Sequence, residues 1–241
     1  SRSMSLADFE KDATGVVLLA KAGKESREPD YTRHLFFESV SKGKTLLLVL
    51  SVVFLFAAGF AMSGLWRQLS SVLLTVVDIA GIAVTWLLIL KTLKIKSKSA
   101  DRICGVLQEH GCDHVLEQKA STFFGIFSWS EVGITYFTVS TLILILFPGE
   151  IHNLALINGC CLPFTVWSIW YQKFRIRTWC TLCVTTQCLL WLQFFCYFFG
   201  GWWKGIFPLR LPFFMIVAAY AAALLATNRL MNFIKNRNGS V

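Results

Sequence analysis

The sequence predicts an all-α integral membrane protein with six transmembrane helices. Its 241 residues are 55% hydrophobic and only 15% charged, whereas soluble domains carry roughly 25% charged residues. A run of about 20 apolar residues crosses the hydrocarbon core of a bilayer, and six such runs occur, at residues 45–66, 69–90, 123–147, 154–171, 179–199 and 211–230. Each is expected to be a helix, because lipid offers no partner for backbone N–H and C=O groups and no alternating pattern indicates a barrel.

The segments outside the spans differ in length and character. Residues 1–44 are soluble in character and too few for a core of their own, residues 91–122 form the one long loop, and residues 231–241 form a polar tail. The other connections are short. Function is therefore expected in the long loop and at the helix ends that face it.

The formal net charge of +9 indicates contact with lipid headgroups rather than a nucleic-acid partner. With six spans, the N-terminal segment, the long loop, the loop after the fourth span and the C-terminal tail share one face. That face carries fourteen basic residues near the spans against three on the other, Arg67, Lys204 and Arg210. The fourteen are Lys42, Lys44, Lys91, Lys94, Lys96, Lys98, Arg102, Lys119, Lys173, Arg175, Arg177, Arg229, Lys235 and Arg237.

Four of the eight cysteines fall on that same face. The helix order requires this, because the fifth span begins on the side where the long loop lies. The four are Cys104 and Cys112 in the long loop, with Cys180 and Cys183 at the start of the fifth span. The others lie inside the fourth and fifth spans, where free cysteine commonly serves as a small apolar filler: Cys160, Cys161, Cys188 and Cys196.

Cys180 and Cys183 are three residues apart in "TWCTLC", where a basic segment meets an apolar run. With Thr178 as N-cap, they would lie in the first turns of the fifth span, where the helix dipole and nearby Arg175 and Arg177 lower a thiol pKa. Residues three apart on a helix share a face, at a Cα separation of about 5 to 6 Å that suits a disulfide. The spacing indicates a redox pair, with a structural or zinc-binding pair as the alternatives. At the membrane edge, a redox pair can meet both water-borne thiols and a lipid-soluble electron acceptor.

The segments "CGVLQEHGC", "STFFGIFSWSEVG" and "WCTLC", in this order, resemble the vitamin K epoxide reductase family, including its bacterial thiol-oxidising members. The resemblance covers residues 69–230. It implies that the second to fifth spans form a four-helix catalytic bundle that holds a quinone beside the second cysteine of the CxxC pair. The sixth span would be the additional helix of bacterial members, and residues 45–66 an extra helix. Residues 8–31 resemble the tail of a bacteriocin-processing cysteine peptidase domain, but no peptidase activity is expected because the catalytic half would be missing.

The resemblance also implies an electron relay through the four cysteines on the shared face. Cys104 would take electrons from a dithiol on a thioredoxin-like protein, and Cys112 would exchange with Cys180. Cys183 would pass the electrons to menaquinone or ubiquinone. Each transfer is thiolate attack on a disulfide, so the sulfurs must meet in sequence and the long loop must move. The activity implied is that of a quinone-dependent thiol oxidoreductase that supports disulfide formation.

Five residues are candidates for the quinone pocket: Ser121, Phe124, Glu131, Gln187 and Trp191. Gln187 stands where the family often has a tyrosine, one turn after the second CxxC cysteine, and can still donate a hydrogen bond to a quinone carbonyl. Ser121 stands where vertebrate relatives have an asparagine, ahead of a Phe-Gly pair. These departures leave open which quinone binds and whether an epoxide is a substrate. The aromatic candidates would suit lipid-facing packing equally well.

Two acidic residues fall within predicted spans, Asp78 in the second and Glu131 in the third. Carboxylates inside a membrane are costly and indicate function by default. Glu131 would lie about eight residues, or roughly 12 Å, inside the third span, from where it could relay a proton to the reduced quinone. The alternative, a neutral and hydrogen-bonded packing residue, is open for Glu131 and favoured for Asp78.

Two other functions are compatible with these patterns. His110 and His114 flank Cys112, and a zinc site that used them with Cys104 would make the protein a zinc-stabilised membrane scaffold. Structural cysteines would instead suit a transporter or its accessory subunit. The prediction retained is the oxidoreductase, without a metal.

Two arguments on orientation disagree. The distribution of basic residues, fourteen against three, places the cysteine face in the cytoplasm by the positive-inside rule. Disulfide formation ordinarily belongs to an oxidising compartment. Many of the basic residues lie in the long loop, where they can attract an acidic partner or headgroups, and the family includes members of inverted topology. We therefore expect a multi-pass protein of the bacterial inner membrane with its active face in the periplasm.

Overall fold

A computed structural model describes residues 31–93, 95, 98–104, 111–116, 122–123, 126–204 and 210–238. The chain divides into two compact units within its first described helix, after Val53. In the first unit, the described residues 31–53 are entirely helical. The second unit, from Phe54 onwards, contains the remaining elements.

The described residues form eight helices and one pair of two-residue strands. The helices are α1 (Tyr31–Ser63), α2 (Leu69–Thr92), α3 (Lys98–Cys104), α4 (Gly111–Leu116), α5 (Trp129–Leu146), α6 (Ile151–Trp170), α7 (Thr181–Phe199) and α8 (Leu211–Asn238). Tight turns of 3₁₀ type cover Leu65–Arg67 and Pro148–Glu150, and a π-helical turn covers Tyr171–Ile176. Strands β1 (Thr122–Phe123) and β2 (Phe127–Ser128) pair antiparallel, with Thr122 opposite Ser128.

Six of these helices are long and apolar enough to cross a membrane: α1, α2, α5, α6, α7 and α8. The predicted all-α membrane fold is thereby confirmed. The ends of the helices differ from the predicted spans. Helix α1 begins at Tyr31 and therefore includes residues predicted to belong to a soluble segment, and α8 continues to Asn238 through most of the predicted polar tail.

The third span begins later than predicted, at Trp129 rather than at residue 123. Ser128 is its N-cap: the Ser128 Oγ accepts from the Glu131 backbone N–H at 3.3 Å, and the Glu131 carboxylate accepts from the Ser128 N–H at 3.3 Å. This reciprocal capping box satisfies two N–H groups that otherwise lack partners at a helix start. The predicted depth of Glu131, about 12 Å inside the span, was therefore wrong, because Glu131 lies in the first turn.

The second to fifth spans form the predicted four-helix bundle. Helix α2 packs against α5 and α7, and α6 contacts the same two helices, while α8 packs against α5. Two glycines permit close approach of α2 and α5: a Cβ at Gly81 would overlap the ring of Phe137, and a Cβ at Gly133 would come within 2.9 Å of Thr85. Small residues at helix contacts allow such packing in membranes.

A buried polar network joins the four helices of the bundle at its centre. Tyr136 of α5 donates to the Gln193 Oε1 of α7 at 3.0 Å, and Asn158 of α6 donates to the Tyr136 hydroxyl at 3.1 Å. The Gln193 amide donates in turn to the Asp78 carboxyl of α2. Asp78 is fully buried, and its place in this network matches the packing role favoured for it from the sequence.

Replacing Asp78 should test how much this network contributes to stability. Asp78→Leu leaves the buried Gln193 amide without its acceptor, so we expect a loss of about 1 to 3 kcal/mol in the free energy of unfolding. Asp78→Asn keeps an acceptor oxygen and should lose clearly less. Thermal unfolding of the purified variants in detergent measures the difference, and equal stability of the two variants would contradict this role.

Candidate active site

The structure brings the four predicted relay cysteines together in one chain of contacts. Hydrogen bonds between side chains join Cys104 to Cys112 and Cys112 to Cys180, and a further one joins Cys180 to Cys183. Cys104 ends α3, Cys112 lies in α4, Cys180 immediately precedes α7 and Cys183 lies in its first turn. All four are free thiols. Two short helices of the long loop are thus seated on the start of the fifth span.

Apolar packing shields this chain of thiols. Cys104 is 4% exposed, and Cys112 and Cys180 are fully buried, within a cluster that includes Leu88 and Leu182. The Thr181 hydroxyl donates to the Cys104 carbonyl at 3.2 Å and so ties the end of α3 to α7. An ion pair of 2.6 Å between Lys91 and Asp101 also joins α2 to α3, although an ion pair with an exposed partner adds little stability.

Cys180, rather than Thr178 as predicted, is the N-cap of the fifth span. The Cys180 Sγ accepts from the Cys183 backbone N–H at 3.3 Å, whereas the Thr178 hydroxyl donates to the Ile176 carbonyl at 3.4 Å. The Cys180 N–H is held by the Gln172 Oε1 at 2.9 Å. Gln172 reaches this position from the π-helical turn that ends the fourth span, and such turns are frequent at functional sites.

The thiolate character lies on Cys112 and not on Cys180. Cys112 and Cys180 both lie outside the membrane-spanning segments, because the fifth span begins at Thr181. Hydrogen bonds from the thiols of Cys104 and Cys180 lower the pKa of Cys112 to about 3. The hydrogen bond to Cys112, together with that to Cys183 and burial, raises the pKa of Cys180 well above its ordinary value. The prediction of a lowered pKa at Cys180 was wrong. The Cys180 thiol donates a hydrogen bond to the neighbouring Cys112 thiolate, and this bond favours the protonated form of Cys180.

A cavity of about 340 Å³ lies inside the bundle, and Cys183 forms part of its lining. One wall carries a ladder of aromatic rings, in which Trp129 stacks on Phe164 at a centroid distance of 3.7 Å. Phe164 contacts Trp167 at 5.5 Å, and Trp167 stacks on Tyr171 at 5.3 Å. The polar residues of the lining include Ser168, Gln172, Thr186 and Gln187. The last sulfur of the chain therefore faces an apolar cavity with few polar groups.

A family model for the vitamin K epoxide reductase family matches residues 72–198. The chain belongs to this family. A search of curated proteins and a search of solved structures each gave no match. Membership of the vitamin K epoxide reductase family implies oxidoreductase activity in a multi-pass membrane protein, and the family is quinone-linked in general.

Of the predicted pocket residues that the structure describes, only Gln187 lines the cavity. Gln187 lines the cavity with Cys183. Glu131 instead accepts from Asn228 of α8 at 2.9 Å in addition to its capping role, and the Trp191 indole donates to Thr165 at 2.9 Å. Neither of these two is part of the cavity lining. Ser121 and Phe124 lie outside the described residues.

Several lining residues were not singled out from the sequence. Gln172 and Ser168 belong to the end of the fourth span, where only their polarity within an apolar run could have drawn attention to them. Cys160 and Cys161, expected to be apolar fillers, also border the cavity. A ligand bound there would therefore lie near them as well as near Cys183.

Metal ligation was an alternative use of the loop cysteines. Among the described residues there is no group of three or more histidine, cysteine, aspartate or glutamate side chains that could hold a metal ion. Of the proposed zinc ligands, His110 and the side chain of His114 lie outside the described part of the chain.

The low pKa of Cys112 predicts a thiolate that persists in acid. The reduced protein should keep the absorbance of one thiolate at 240 nm from pH 8 down to about pH 4 and lose it as the pH falls through about 3, whereas an ordinary cysteine is already protonated below about pH 8. Cys112→Ser should remove this signal, and Cys188→Ser serves as the control because Cys188 is exposed. Complete loss of thiolate absorbance above pH 6 in the wild-type chain would contradict the assignment.

Proposed function

We propose that this protein oxidises a dithiol on a partner protein and passes the electrons through its four cysteines to a quinone, supporting disulfide formation. The observation that carries the proposal is the order of the sulfur contacts. They run from Cys104 to Cys112, then to Cys180 and Cys183, and Cys183 borders the cavity. Neighbouring sulfurs in contact can exchange disulfides in sequence without long displacements.

The first exchange would take place at the loop pair. In the oxidised protein Cys104 and Cys112 share a disulfide. A partner thiolate attacks the Cys104 Sγ, and Cys112 leaves as a thiolate; the second partner thiolate then attacks the mixed disulfide, which releases Cys104 and leaves the partner oxidised. Thiols of low pKa leave faster, so the lowered pKa of Cys112 favours this direction of cleavage.

The second exchange would transfer the reducing equivalents to the membrane edge. The Cys112 thiolate attacks the Cys180 Sγ of a Cys180–Cys183 disulfide and releases the Cys183 thiolate. Cys104 then attacks Cys112, which restores the loop disulfide, and Cys180 takes up a proton as its thiol. The raised pKa of Cys180 favours this protonated product. A bound quinone supplies an acceptor for the two electrons and two protons that leave Cys180 and Cys183 when their disulfide forms again.

The cavity fits a quinone ring in three respects. Its volume of about 340 Å³ falls in the range of small-molecule sites, roughly 300 to 1,000 Å³. The aromatic ladder from Trp129 to Tyr171 offers flat surfaces for stacking. The Gln187 Oε1 is buried without a hydrogen-bond partner and can accept from a hydroxyl group of the reduced quinone. These features do not distinguish menaquinone from ubiquinone.

We infer that the electron donor is a thioredoxin-like protein, because the family generally uses thioredoxin-like partners. Cys104 is 4% exposed in this arrangement, so the donor can reach it only when α3 moves away from α7. The hydrogen bond from Thr181 to the Cys104 carbonyl would break in that movement.

Single cysteine replacements should separate the steps of the relay. In purified protein supplied with a reduced thioredoxin-like donor and a quinone, Cys183→Ala should abolish quinone reduction, and Cys104→Ala should block the protein donor. Cys104→Ala should still oxidise a small dithiol that enters beside Cys183. Cys112→Ser should leave a Cys180–Cys183 disulfide that the protein donor reduces poorly. Cys188→Ala is the matched control and should keep both activities; normal turnover in Cys183→Ala would refute the relay.

The orientation proposed, with the cysteine face in the periplasm of a bacterial inner membrane, can be tested in intact cells. Ser99 belongs to α3 on that face. A single cysteine placed at Ser99, in a background where Cys104 and Cys112 are replaced, should react with a membrane-impermeant maleimide before lysis. The same background without the Ser99 replacement corrects for the other cysteines. Reaction only after lysis would place the active face in the cytoplasm.

A further inference from the structure

Gln187 and Ser168 form a hydrogen-bonded pair at the wall of the cavity. The Gln187 Nε2 donates to the Ser168 Oγ at 2.5 Å across the contact of α7 with α6. Both residues line the cavity together with Cys183, which precedes Gln187 by one helical turn. Gln187 is only 5% exposed, and its Oε1 has no hydrogen-bond partner.

The unpaired atom of Gln187 is a hydrogen-bond acceptor. A quinone offers two carbonyl oxygens, which only accept, whereas its reduced form offers two hydroxyl groups, which can donate. In the observed orientation the partnerless Oε1 of Gln187 therefore suits a hydroxyl of the reduced form and cannot bond a carbonyl of the oxidised form. The role expected from the sequence, donation to a quinone carbonyl, requires the opposite orientation of the same amide.

Ser168 allows both orientations. A serine hydroxyl is at once a donor and an acceptor, and the two ends of a glutamine amide are nearly identical in shape. When the amide of Gln187 turns by half a rotation, the Ser168 hydroxyl donates to the Oε1 and the Nε2 becomes the atom without a protein partner. The bond between the two residues is kept in either case, so the reorientation leaves no additional buried group unsatisfied.

Two other polar side chains of the lining, those of Gln172 and Thr186, already have partners in the protein. The Gln172 Oε1 already accepts from the Cys180 N–H at 2.9 Å, and the Thr186 hydroxyl already donates to the Leu182 carbonyl at 2.9 Å. Of the polar lining residues in the described chain, Gln187 is the one with a buried side-chain atom that lacks any partner.

We propose that Gln187 and Ser168 act as a reversible amide–hydroxyl pair that hydrogen-bonds both redox forms of the quinone. The pair donates to the carbonyl of the oxidised form through the Gln187 Nε2 and accepts from the hydroxyl of the reduced form through the Oε1. The ligand thus keeps a hydrogen bond beside Cys183 before and after its reduction. This inference rests on the proposed function and assigns Ser168 as the positioning residue that anchors Gln187.

The test compares binding of the two redox forms. Decylubiquinone and decylubiquinol are titrated separately into the full chain in a Cys183→Ala background, which prevents their consumption, and their dissociation constants are measured from quenching of tryptophan fluorescence. Gln187→Met keeps the length of the side chain but removes the donor and the strong acceptor. Because one hydrogen bond of about 1 kcal/mol is lost in each case, both dissociation constants should rise about fivefold.

The anchoring role of Ser168 has its own variants. Ser168→Ala should weaken both probes, because the free amide must then be ordered by the ligand, and Ser168→Thr should restore them by returning the hydroxyl. Ser140→Ala is the matched control, since Ser140 is a buried serine that bonds Tyr220 of α8 and does not line the cavity. Its dissociation constants should stay within twofold of the parent for both probes.

The outcomes separate this inference from the proposed function. If Gln187→Met weakens only the quinone, Gln187 is a fixed donor, and if it weakens only the quinol, Gln187 is a fixed acceptor; either result overturns the reversible pair. No change in either constant removes Gln187 from the binding site. If the chain with all its cysteines binds neither probe and reduces no quinone when given a dithiol, the proposed function itself fails.

Discussion

The contact between Cys112 and Cys180 is the interaction on which the rest of the site depends. It connects the short helices of the long loop to the N-cap of α7, and the neighbouring bonds support it. Gln172 holds the Cys180 N–H at 2.9 Å, and Thr181 holds the Cys104 carbonyl at 3.2 Å. A thiolate inside an apolar cluster needs hydrogen-bond donors. The thiols of Cys104 and Cys180 supply them to Cys112, so the pKa of Cys112 falls while that of Cys180 rises.

The cysteine with the lowered pKa and the apolar cavity lie at different points along the chain of four cysteines. The ionised sulfur of Cys112 lies ahead of the fifth span, and the last sulfur, that of Cys183, faces a cavity with an aromatic wall. The bundle core below is held by neutral hydrogen bonds between Tyr136, Asn158 and Gln193. A core held by hydrogen bonds between uncharged side chains is consistent with the cost of burying unpaired charge in a membrane protein. The proposed relay therefore ends at Cys183, beside an apolar cavity.

Two of the errors made from the sequence, the start of the third span and the N-cap of the fifth, concern helix capping. The third span was predicted to begin at residue 123, and Glu131 was consequently placed deep inside it. Ser128 and Glu131 form a capping box, a motif of helix N-termini. Its sequence pattern, Ser-x-x-Glu, is visible in the sequence and indicates a helix that begins after Ser128. At the fifth span Thr178 was predicted as the N-cap, because threonine is a common cap residue, whereas the structure has Cys180 in that position. The cap formed by Cys180 depends on Gln172, eight residues earlier, and no local pattern indicates that contact.

The sequence by itself determined the six membrane helices and the cysteines of the site, because long apolar runs leave the backbone no alternative to a helix in lipid and the helix order places the CxxC pair on the side of the long loop. The tertiary structure alone decided which sulfur is ionised, which residues line the cavity and which partner orients Gln187. Those properties depend on residues far apart in the chain, such as Gln187 and Ser168, separated by 19 positions, or Thr181 and Cys104, separated by 77. Hydrogen bonds act over about 3 Å in space, so they become defined only when the packing of α3, α6 and α7 has brought such residues together.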